Sequence, residues 1–583
     1  MVHSIDSKAI SVLKESFIKK EVVFKDNLLL LQAQPHTAPI ADLKECSDGV
    51  ATAHYYFISR YFNLIDDDKA ASIVSEIKKL QNTDENSNYF GCMRWYREEE
   101  FISDSNGAFF VLLPIALTYK LCKDKITQSE KDDIFELLEK AAIWFVRTTK
   151  GTLNYTNKIL SDGAMLTLIA EITQKHYAEC EEFWNRWHNY ADNHGWGWGE
   201  NTSDCYSSIM LNALNVTILA SRGEIKEKAI KRRSMLIDYI AFHGGKEFIP
   251  SIRTYNFSAV SNYGGGVRKA FMCPERIETY RNMSDTIVMY ETKAEWNEEI
   301  NLSCTRNENV YEDSYAYTWK NNDLRLGSIT HFPVMPCSYQ NSVKHKNGYV
   351  QTYGLGWQSM PVSAMVGDFV SFLRIRTRVG ESEHSHPAVN KHNAYLFNRL
   401  FEDGNITVFS TIANQDNNIA VVSRYANKLA NTSSFICDEW CVSDKSAEIC
   451  EKEINGKIWY IVKSESGSIA LCPLDGIGCG DRCRGALTTY ISDSDNFRTI
   501  TTEFYSGENK MLFSPRLESV WVIVAINPDR DVEACLTQIT ITDETVPDFE
   551  VSRSSCYKKR RIVCTDGKSK ADLLIDPLNQ NDF

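Results

Sequence analysis

The spacing of apolar residues changes once along this chain of 583 residues, near residue 285. Before that point apolar residues recur every three or four positions, which predicts about nine amphipathic helices joined by polar or glycine-rich loops. After it, short alternating segments rich in Val, Ile, Thr, Tyr and Phe predict an antiparallel β-sandwich. We therefore expect an all-α domain over residues 1–284 and one or more β-sandwich domains over residues 285–583.

The two patterns predict particular elements. The predicted helices cover residues 10–17, 52–65, 71–80, 109–121, 129–148, 160–172, 178–190, 207–219 and 225–242. The predicted strands cover residues 286–292, 310–319, 369–376, 406–412, 419–425, 457–462, 498–504, 520–526 and 537–542. No repeat of about 20 to 50 residues accompanies them, which argues against a solenoid or a propeller.

The charge and the cysteine content limit the environment and the partners. A formal net charge of -13 argues against nucleic acid or an anionic membrane as a partner, because both require a basic face. No stretch approaches the roughly 18 apolar residues that span a bilayer, and the N-terminal residues show no signal-peptide pattern. The 17 cysteines form no C-x-x-C pair and indicate buried thiols in a reducing compartment. We expect a cytoplasmic protein; the alternative is an exported parent whose signal has been removed.

The segment HGWGWGENTSDCY, residues 194–206, combines glycine, tryptophan and polar residues. Glycine lets the backbone approach a ligand, and the rings of Trp196 and Trp198 offer flat apolar faces, so we expect this loop to line a cleft and to bind substrate. The residues from Asn201 to Asp204 are N-cap types that precede a predicted helix. The alternative is an ordinary capped helix start with tryptophans packed beneath it.

Further candidate binding residues lie in other loops, because clefts form where loops and domains meet. An aromatic loop over residues 88–96 precedes one helix, Asn157 precedes another, and a polar segment over residues 253–257 stands just before a triple glycine. The alternatives are helix caps and a hinge. The candidates from these loops and from the β half are Tyr89, Arg94, Trp95, Asn157, Arg253, Tyr255, Asn256, His331, Trp357 and Gln358.

A metal site has a weaker basis. His384 and His386 form a His-x-His pair, and histidine is the commonest metal ligand, yet no carboxylate-rich motif follows at ligand spacing. We therefore predict no cofactor, with a divalent metal near this pair as the alternative.

The order of a helical half and a β half, with Asn157, the Gly-Trp-Gly-Glu200-Asn201 loop and Tyr206 at helix entries, resembles the heparinase II/III-like and hyaluronate-lyase-like polysaccharide lyases. The resemblance implies an α+β multidomain fold, with an N-terminal incomplete (α/α) toroid followed by a C-terminal antiparallel β-sandwich. It also implies a cleft for an acidic poly- or oligosaccharide, and β-elimination next to a uronate.

Such an elimination needs groups that neutralise the uronate carboxylate, a base for the C5 proton and an acid for the leaving oxygen. By role, Asn157 and Asn201 would neutralise the carboxylate, and Arg253 would pair with the charge of the substrate. Tyr206 or Tyr255 would act as base or acid, with His194 or His331 as the alternative base. The resemblance leaves open which Tyr and which His take part.

Two other classes of function stay open. A glycoside hydrolase on the same scaffold would use Glu200 with a second carboxylate about 5–9.5 Å away, and Asp104, Asp162 and Asp204 are the candidates. A non-catalytic carbohydrate-binding protein would need only the aromatic platform. The three classes differ in whether Tyr and His converge with Asn, whether two carboxylates converge, or whether neither set does.

Overall fold

The computed structural model describes residues 2–33, 35, 37–40, 42–197, 200–245, 247–254, 264–298, 303–311, 314–321, 324–330, 342–344, 350–352, 358–360, 362–367, 369–379, 382–387, 397–401, 404–413, 433–477, 488–494, 497–506, 517–546, 559–565 and 570–575. It divides into two compact units. The helical unit consists of Met1–Gly197, Tyr206–Lys246 and Asn262–Glu299, and the β unit of Trp198–Cys205, Glu247–Ser261 and Ile300–Phe583.

The helical unit contains the helices α1 Ser7–Ile18, α2 Gly49–Phe62, α3 Asp67–Lys78, α4 Gly107–Leu121, α5 Gln128–Thr148, α6 Thr156–Thr173, α7 Tyr177–His194, α8 Tyr206–Ala220, α9 Gly223–Phe242, α10 Gly264–Met272 and α11 Tyr280–Glu291. Its strands are β1 Val2–Ser4, β2 Phe24–Lys25, β3 Leu28–Leu31, β4 Cys46–Asp48 and β6 Glu295–Asn297. Strands β2, β3 and β4 form a small sheet that leads into α2, and β1 pairs with β6.

Among the described residues, five helices form a closed inner ring in which each packs on the next: α2, α4, α6, α8 and α11, with α11 packing back on α2. Helices α3, α5, α7 and α9 pack on the outside of this ring. The apolar pattern of each helix explains whether it lies in the inner ring or outside it. Helices α4, α6 and α8 are buried on nearly every face, whereas α5 buries one apolar stripe and carries charges on the other side. The helical unit is therefore an (α/α) toroid.

Helices α2, α4, α6 and α8 are each joined to the next through one outer helix, α3, α5 or α7, so these inner helices run parallel. The early turns of different inner helices accordingly meet: Phe110 near the start of α4 contacts Arg281 near the start of α11. At the opposite end the connections are short, covering residues 63–66, 122–127, 174–176 and 221–222. The longer loops, such as residues 79–106, precede the inner helices, and we call their end of the ring the mouth.

The nine predicted helices correspond to α1 through α9, whereas α10 and α11 were not predicted. The strand predicted over residues 286–292 is wrong, because these residues form the second half of α11 and the turn after it. The β-branched run from Thr286 to Val288 favours a strand by propensity alone. Thr279 caps the helix, accepting a hydrogen bond from the backbone of Asn282, and packing of α11 on α2 and α8 stabilises it.

The β unit contains β5 Ser251–Thr254, β7 Ser303–Tyr311, β8 Ser314–Asn321, β9 Leu324–Thr330, β10 Ser342–Lys344, β11 Val350–Thr352, β12 Gln358–Met360, β13 Val362–Val366, β14 Phe369–Val379, β15 Ser382–Pro387, β16 Phe397–Phe401, β17 Gly404–Ala413, β18 Ser433–Val442, β19 Ile449–Ile454, β20 Lys457–Ser464, β21 Gly467–Ile477, β22 Thr488–Ser494, β23 Phe497–Ser506, β24 Leu517–Ile526, β25 Thr540–Val546, β26 Lys559–Thr565 and β27 Lys570–Ile575, with one helix, α12 Val532–Thr537.

The strands form two large antiparallel sheets. Within the described residues the first runs in the order β11-β10-β15-β14-β13-β9-β8-β7, and β18, β23 and β22 continue it from β14. The second has the order β16-β17-β24-β21-β20-β19. A smaller sheet of β25, β26 and β27 and a pair formed by β5 and β12 complete the described pairings of this unit. One strand was predicted over residues 310–319, whereas this segment spans the end of one strand, β7, and most of the next, β8.

Strand β24 shows how the two large sheets pack. Trp521, Ile523 and Ala525 face the first sheet, where they share a core with Trp319 and Trp440. The alternate residues of β24, Val522, Val524 and Ile526, face α12 and β26. Alternate side chains of β24 point to opposite faces of the second sheet, and both faces are buried. The apolar run of β24 therefore has no polar side.

These sheets confirm the predicted fold class, in which an N-terminal (α/α) toroid is followed by a C-terminal antiparallel β-sandwich. The strand predicted over residues 419–425 lies outside the described residues. None of the helices in the described ranges carries an apolar stretch long enough to cross a bilayer.

Candidate functional site

The loop over residues 79–106, which contains the predicted aromatic loop over residues 88–96, lies at the mouth of the ring. Trp95 fixes it there, because its carbonyl accepts a hydrogen bond from the Gly49 backbone N–H at the start of α2 (2.8 Å). Its indole N–H donates to the Asp104 carbonyl just before α4 (3.0 Å). The half-buried ring of Trp95 lies 5.1 Å from the ring of Phe110. The predicted binding residue Trp95 is thus held beside the starts of two inner helices.

Arg281 extends this aromatic pair with a cation. Its guanidinium lies 4.8 Å from the Phe110 ring and 3.9 Å from the carboxylate of Asp285 one turn later. The Arg281 side chain is 29% exposed, so its charge remains open to solvent at the mouth. Arg281 was not predicted as a functional residue, because the local pattern predicted no helix here. The cap residue Thr279, two positions earlier, is the signal that could have revealed it.

Two titratable groups lie near Arg281 inside the ring. His54 of α2 is buried, and its Nδ1 lies 2.9 Å from the Ser284 hydroxyl of α11. Burial, and then the charge of Arg281, lower the pKa of His54 to about 3, so the imidazole is neutral. Burial raises the pKa of Asp285 to about 6, against the opposing effect of Arg281. Neither residue was a candidate from the sequence.

A small cavity of about 20 Å³ lies next to Asp285, between α8, α10 and α11. It is lined in part by the amides of Asn212, Asn215 and Asn282. The buried Oδ1 of Asn212 has no hydrogen-bond partner among the described residues. A cavity of this size with such polar walls holds about one water molecule. The ring is therefore polar inside, below its mouth.

Asn157 and Tyr206 open two neighbouring inner helices. Asn157 is the second residue of α6, Tyr206 is the first residue of α8, and both are 5% exposed. Because α6 and α8 are parallel and packed together, their first turns lie about 8–10 Å apart axis to axis. The Thr156 hydroxyl donates to the Trp196 carbonyl, which holds the glycine-tryptophan loop at the start of α6.

Three other candidate residues of the helical unit pack against side chains of the same unit. His194 ends α7, with its ring 4.7 Å from that of Tyr190. Trp196 is 3% exposed and lies 5.4 Å from the Arg232 guanidinium, which makes it a packed residue. Tyr89 is exposed and stacks on Trp144 at 5.8 Å.

The predicted binding residue Arg94 is held by the backbone. Its guanidinium donates to the carbonyls of Glu99 and Lys79 at 2.7 Å each, and to that of Arg97 at 3.3 Å. These three contacts fix the turn of the aromatic loop that carries Trp95. The structure therefore shows a positioning role for Arg94.

Glu200, Asn201 and Asp204 belong to the β unit, where they are buried in and just after a 3-10 helix, Glu200–Thr202. The Asn201 amide donates to the Asn309 carbonyl of β7 (3.0 Å). Burial, and then the charge of Glu247, raise the pKa of Asp204 to about 8, against a smaller opposing effect of the backbone at Cys205 and Asp204. The Asp204 carboxyl is therefore mostly protonated at neutral pH.

The two further carboxylates considered for a hydrolase are engaged within the helical unit. Asp162 is 1% exposed and forms an ion pair with Lys158 one turn earlier in α6. The Asp104 carboxylate accepts a hydrogen bond from the Asn106 backbone N–H (2.9 Å). Both groups are used inside the loop or helix that carries them.

The remaining candidates lie outside the side chains that the structure describes. Trp198, Tyr255, Asn256, His331 and Trp357 lie outside the described residues. Arg253 and Gln358 belong to the paired strands β5 and β12, and His384 and His386 to β15, each described by its backbone alone. Over the side chains that are described, no group of three His, Cys, Asp or Glu residues has the arrangement of a metal site.

Neither protein families nor curated proteins give a match to this sequence. Among solved structures, a mutant of heparan sulfate lyase HepC from Pedobacter heparinus is 8% identical with a TM-score of 0.38, over 98% of this chain and 90% of that one. A mutant chondroitin AC lyase from Streptomyces coelicolor A3 is 8% identical with a TM-score of 0.40, over 98% and 88% of the two chains. By its own helix packing and strand pairing, this chain has the architecture that the sequence resemblance predicted, a ring of paired helices followed by an antiparallel β-sandwich.

Proposed function

We propose that the protein is a carbon-oxygen lyase that cleaves a uronate-containing poly- or oligosaccharide by β-elimination. The observation that carries this proposal is the composition of the mouth, where a cation, an amide and a phenol stand at the starts of inner helices. Arg281 belongs to α11, Asn157 to α6 and Tyr206 to α8. This is the set of groups that elimination next to a carboxylate requires.

The mouth favours an anionic substrate. The N-terminal end of a helix carries a partial positive charge and unpaired backbone N–H groups, and the inner helices direct these ends to the same side. Helix α6 begins without a side-chain cap, whereas the first N–H groups of α4 donate to the carbonyls of residues 104–106. The partly exposed Arg281 adds a full charge. An acidic glycan can thus be held on an acidic protein, with the aromatic pair of Trp95 and Phe110 supplying apolar surface for a sugar ring.

The proposed reaction assigns one step to each group. The Asn157 amide donates to the uronate carboxylate and, with Arg281, stabilises the negative charge that develops when C5 loses its proton. The electron pair of the C5–H bond forms a C4–C5 double bond as the C4–O bond breaks. Tyr206, as the phenolate, takes the C5 proton and then transfers this proton to the leaving oxygen, so the step balances. The products are a new reducing end and an unsaturated uronate.

A glycoside hydrolase is the second candidate, and one observation favours it. The Asp204 carboxyl has a pKa of about 8 next to the charge of Glu247, and a protonated acid paired with a carboxylate is the arrangement that glycoside hydrolysis uses. In this alternative Glu200 is the further acid or base. A carbohydrate-binding protein without catalysis is the third candidate and needs neither set of groups.

We also propose that the enzyme acts in the cytoplasm on imported oligosaccharides. Three buried cysteines of the helical unit, Cys92, Cys122 and Cys180, are free thiols. Burial raises the pKa of each of these three thiols to about 12, which keeps them protonated and unreactive. Such thiols suit a reducing compartment.

The experiment that tests the function is incubation of the protein with a panel of uronate-containing polysaccharides and oligosaccharides. A lyase produces the ultraviolet absorbance of the unsaturated uronate together with one new reducing end per cleavage. New reducing ends without that absorbance would indicate a hydrolase that uses Asp204 and Glu200. Absence of both signals, with binding retained in a calorimetric titration, would favour the binding protein.

A further inference from the structure

A second cavity, of about 510 Å³, lies in the helical unit at the end of the ring opposite the mouth. It is lined by the last turns of α6 and α8 and by residues of α7 and α9. Its volume falls in the range of about 300–1,000 Å³ that small-molecule sites occupy. The reaction proposed for the mouth uses none of the residues that line it.

His188 of α7 gives this cavity a polar group without a partner. The residue lines the cavity, is 3% exposed, and its Nε2 has no hydrogen-bond partner within the described part of the chain. The ring is held in place by Trp184 and Trp187, with centroids at 5.5 and 5.2 Å. A nitrogen that is buried without a partner is unfavourable, and a ligand that bonds to it would remove this cost.

The start of α9 adds donors to the cavity. Its N-cap position Arg222 makes no side-chain cap bond, so the first N–H groups of α9 lack that partner. Gly223, at the start of α9, has a φ of 57° and open space on its Cβ side. Arg222 lines the cavity as well, and it is exposed, so its charge is available to a ligand there. This side of the cavity therefore suits a negative group.

The carboxylates that line the cavity require hydrogen-bond donors on the ligand. Glu171 and Glu224 line the cavity but are paired with Lys120 (2.6 Å) and Lys228 (2.7 Å). Glu181 lines it without a described partner. A simple inorganic anion brings no donors for Glu181, and a neutral sugar leaves Arg222 and the helix start unused. The ligand must carry both hydroxyl donors and one negative group.

We propose that this cavity binds a hydroxylated organic acid of the size of a mono- or disaccharide, such as a sugar acid. Its anionic group lies at the start of α9 with Arg222, and its hydroxyl groups meet His188 Nε2 and Glu181. This site is distinct from the mouth, and the proposal stands whether or not the lyase activity does.

The test is a calorimetric titration of the full-length protein with glucuronate, with glucose and acetate as control ligands. Glucuronate is expected to bind saturably, while glucose and acetate are not, because each lacks half of the required chemistry. Arg222→Gln removes one charge-assisted contact at an exposed position and should weaken binding about tenfold. The matched control Lys226→Gln, on the exposed side of α9, should leave affinity unchanged.

Two further variants separate this cavity from the mouth. His188→Gln should also weaken glucuronate binding; if it does not fold, the Arg222 comparison decides alone. Arg281→Gln, which alters the mouth, should leave binding at the cavity intact. The proposal is overturned if glucuronate does not bind, if glucose binds equally well, or if Arg281→Gln abolishes binding while Arg222→Gln does not.

Discussion

His54 Nδ1 lies 2.9 Å from the Ser284 hydroxyl, and this contact joins the first inner helix of the ring to the last. The two residues are 230 positions apart in the chain. Because the imidazole is buried and the charge of Arg281 is near, the contact involves a neutral histidine whose pKa is about 3. Closure of the toroid therefore depends on a group that resists protonation.

This contact predicts a pH dependence of stability. The unfolded chain takes up a proton on His54 below its ordinary pKa of about 6.5, whereas the folded chain does so only near 3, so the free energy of unfolding falls as the pH decreases through that window. At about pH 5 the linked loss is about 2 kcal/mol. Urea unfolding of the wild type and of His54→Gln at about pH 7.5 and pH 5 measures it. An equal pH dependence in both proteins would contradict the prediction.

Asp204 predicts the opposite dependence at higher pH. Its folded pKa of about 8 lies above its ordinary value of 3.8, so the stability it contributes is fully present at acidic pH and is lost as the pH rises through about 4 to 8. Asp204→Asn keeps the shape and cannot ionise. We expect the variant to be more stable than the wild type at about pH 9 and similar at about pH 4. Thermal unfolding at both pH values checks this; a wild type that stays the more stable at alkaline pH would refute it.

Tyr206 and Asn157 predict losses in catalysis. Tyr206→Phe removes the proton-transferring hydroxyl and should lower kcat by about 10²–10⁴. Asn157→Ala removes a donor to the developing charge and should lower kcat by about 10²–10³. The rate of unsaturated-uronate absorbance is the measurement. Tyr119→Phe, at the other end of α4, is the matched control and should keep full activity. Wild-type rates in Tyr206→Phe would remove this residue from the mechanism.

Arg281 predicts the recognition of an acidic substrate. Arg281→Gln should lower kcat/KM at least about tenfold, because one charge-assisted contact to the substrate is lost. The dependence of kcat/KM on salt should also become weaker, since the charge is partly exposed and therefore screened by ions. Arg276→Gln, an exposed arginine of the preceding 3-10 helix, is the control. Equal losses in the two variants would indicate a general charge effect.

At Gly163 we expect side-chain packing to outweigh helix propensity. In the interior of a helix, alanine is about 1 kcal/mol more favourable than glycine. However, a Cβ at residue 163 of α6 would lie 1.9 Å from the ring of Phe183 in α7. We expect Gly163→Ala to lower the free energy of unfolding by about 1–3 kcal/mol. The double variant with Phe183→Leu should recover part of the loss. A more stable single variant would show that α7 moves aside easily.

The sequence alone determined the elements whose pattern is local. Helices α1 through α9 follow from apolar residues at helical spacing, and strands such as β14, β20 and β24 from alternating or β-branched runs. The order of a helical part before a β part followed as well, because each pattern extends over many residues. Helix α11 was not predicted because its local propensity favours a strand, and packing in the ring outweighs that preference.

Only the tertiary structure decided which residues meet. The loop over residues 194–206 looked like one site in sequence, yet Trp196 belongs to the helical unit and Asn201 to the β unit. Arg281 reaches the mouth, and His188 the second cavity, through contacts with residues far away in the chain. Periodicity reports which side of an element is apolar, but which distant elements cover it, and which polar groups they bury together, depends on the packing of the whole unit.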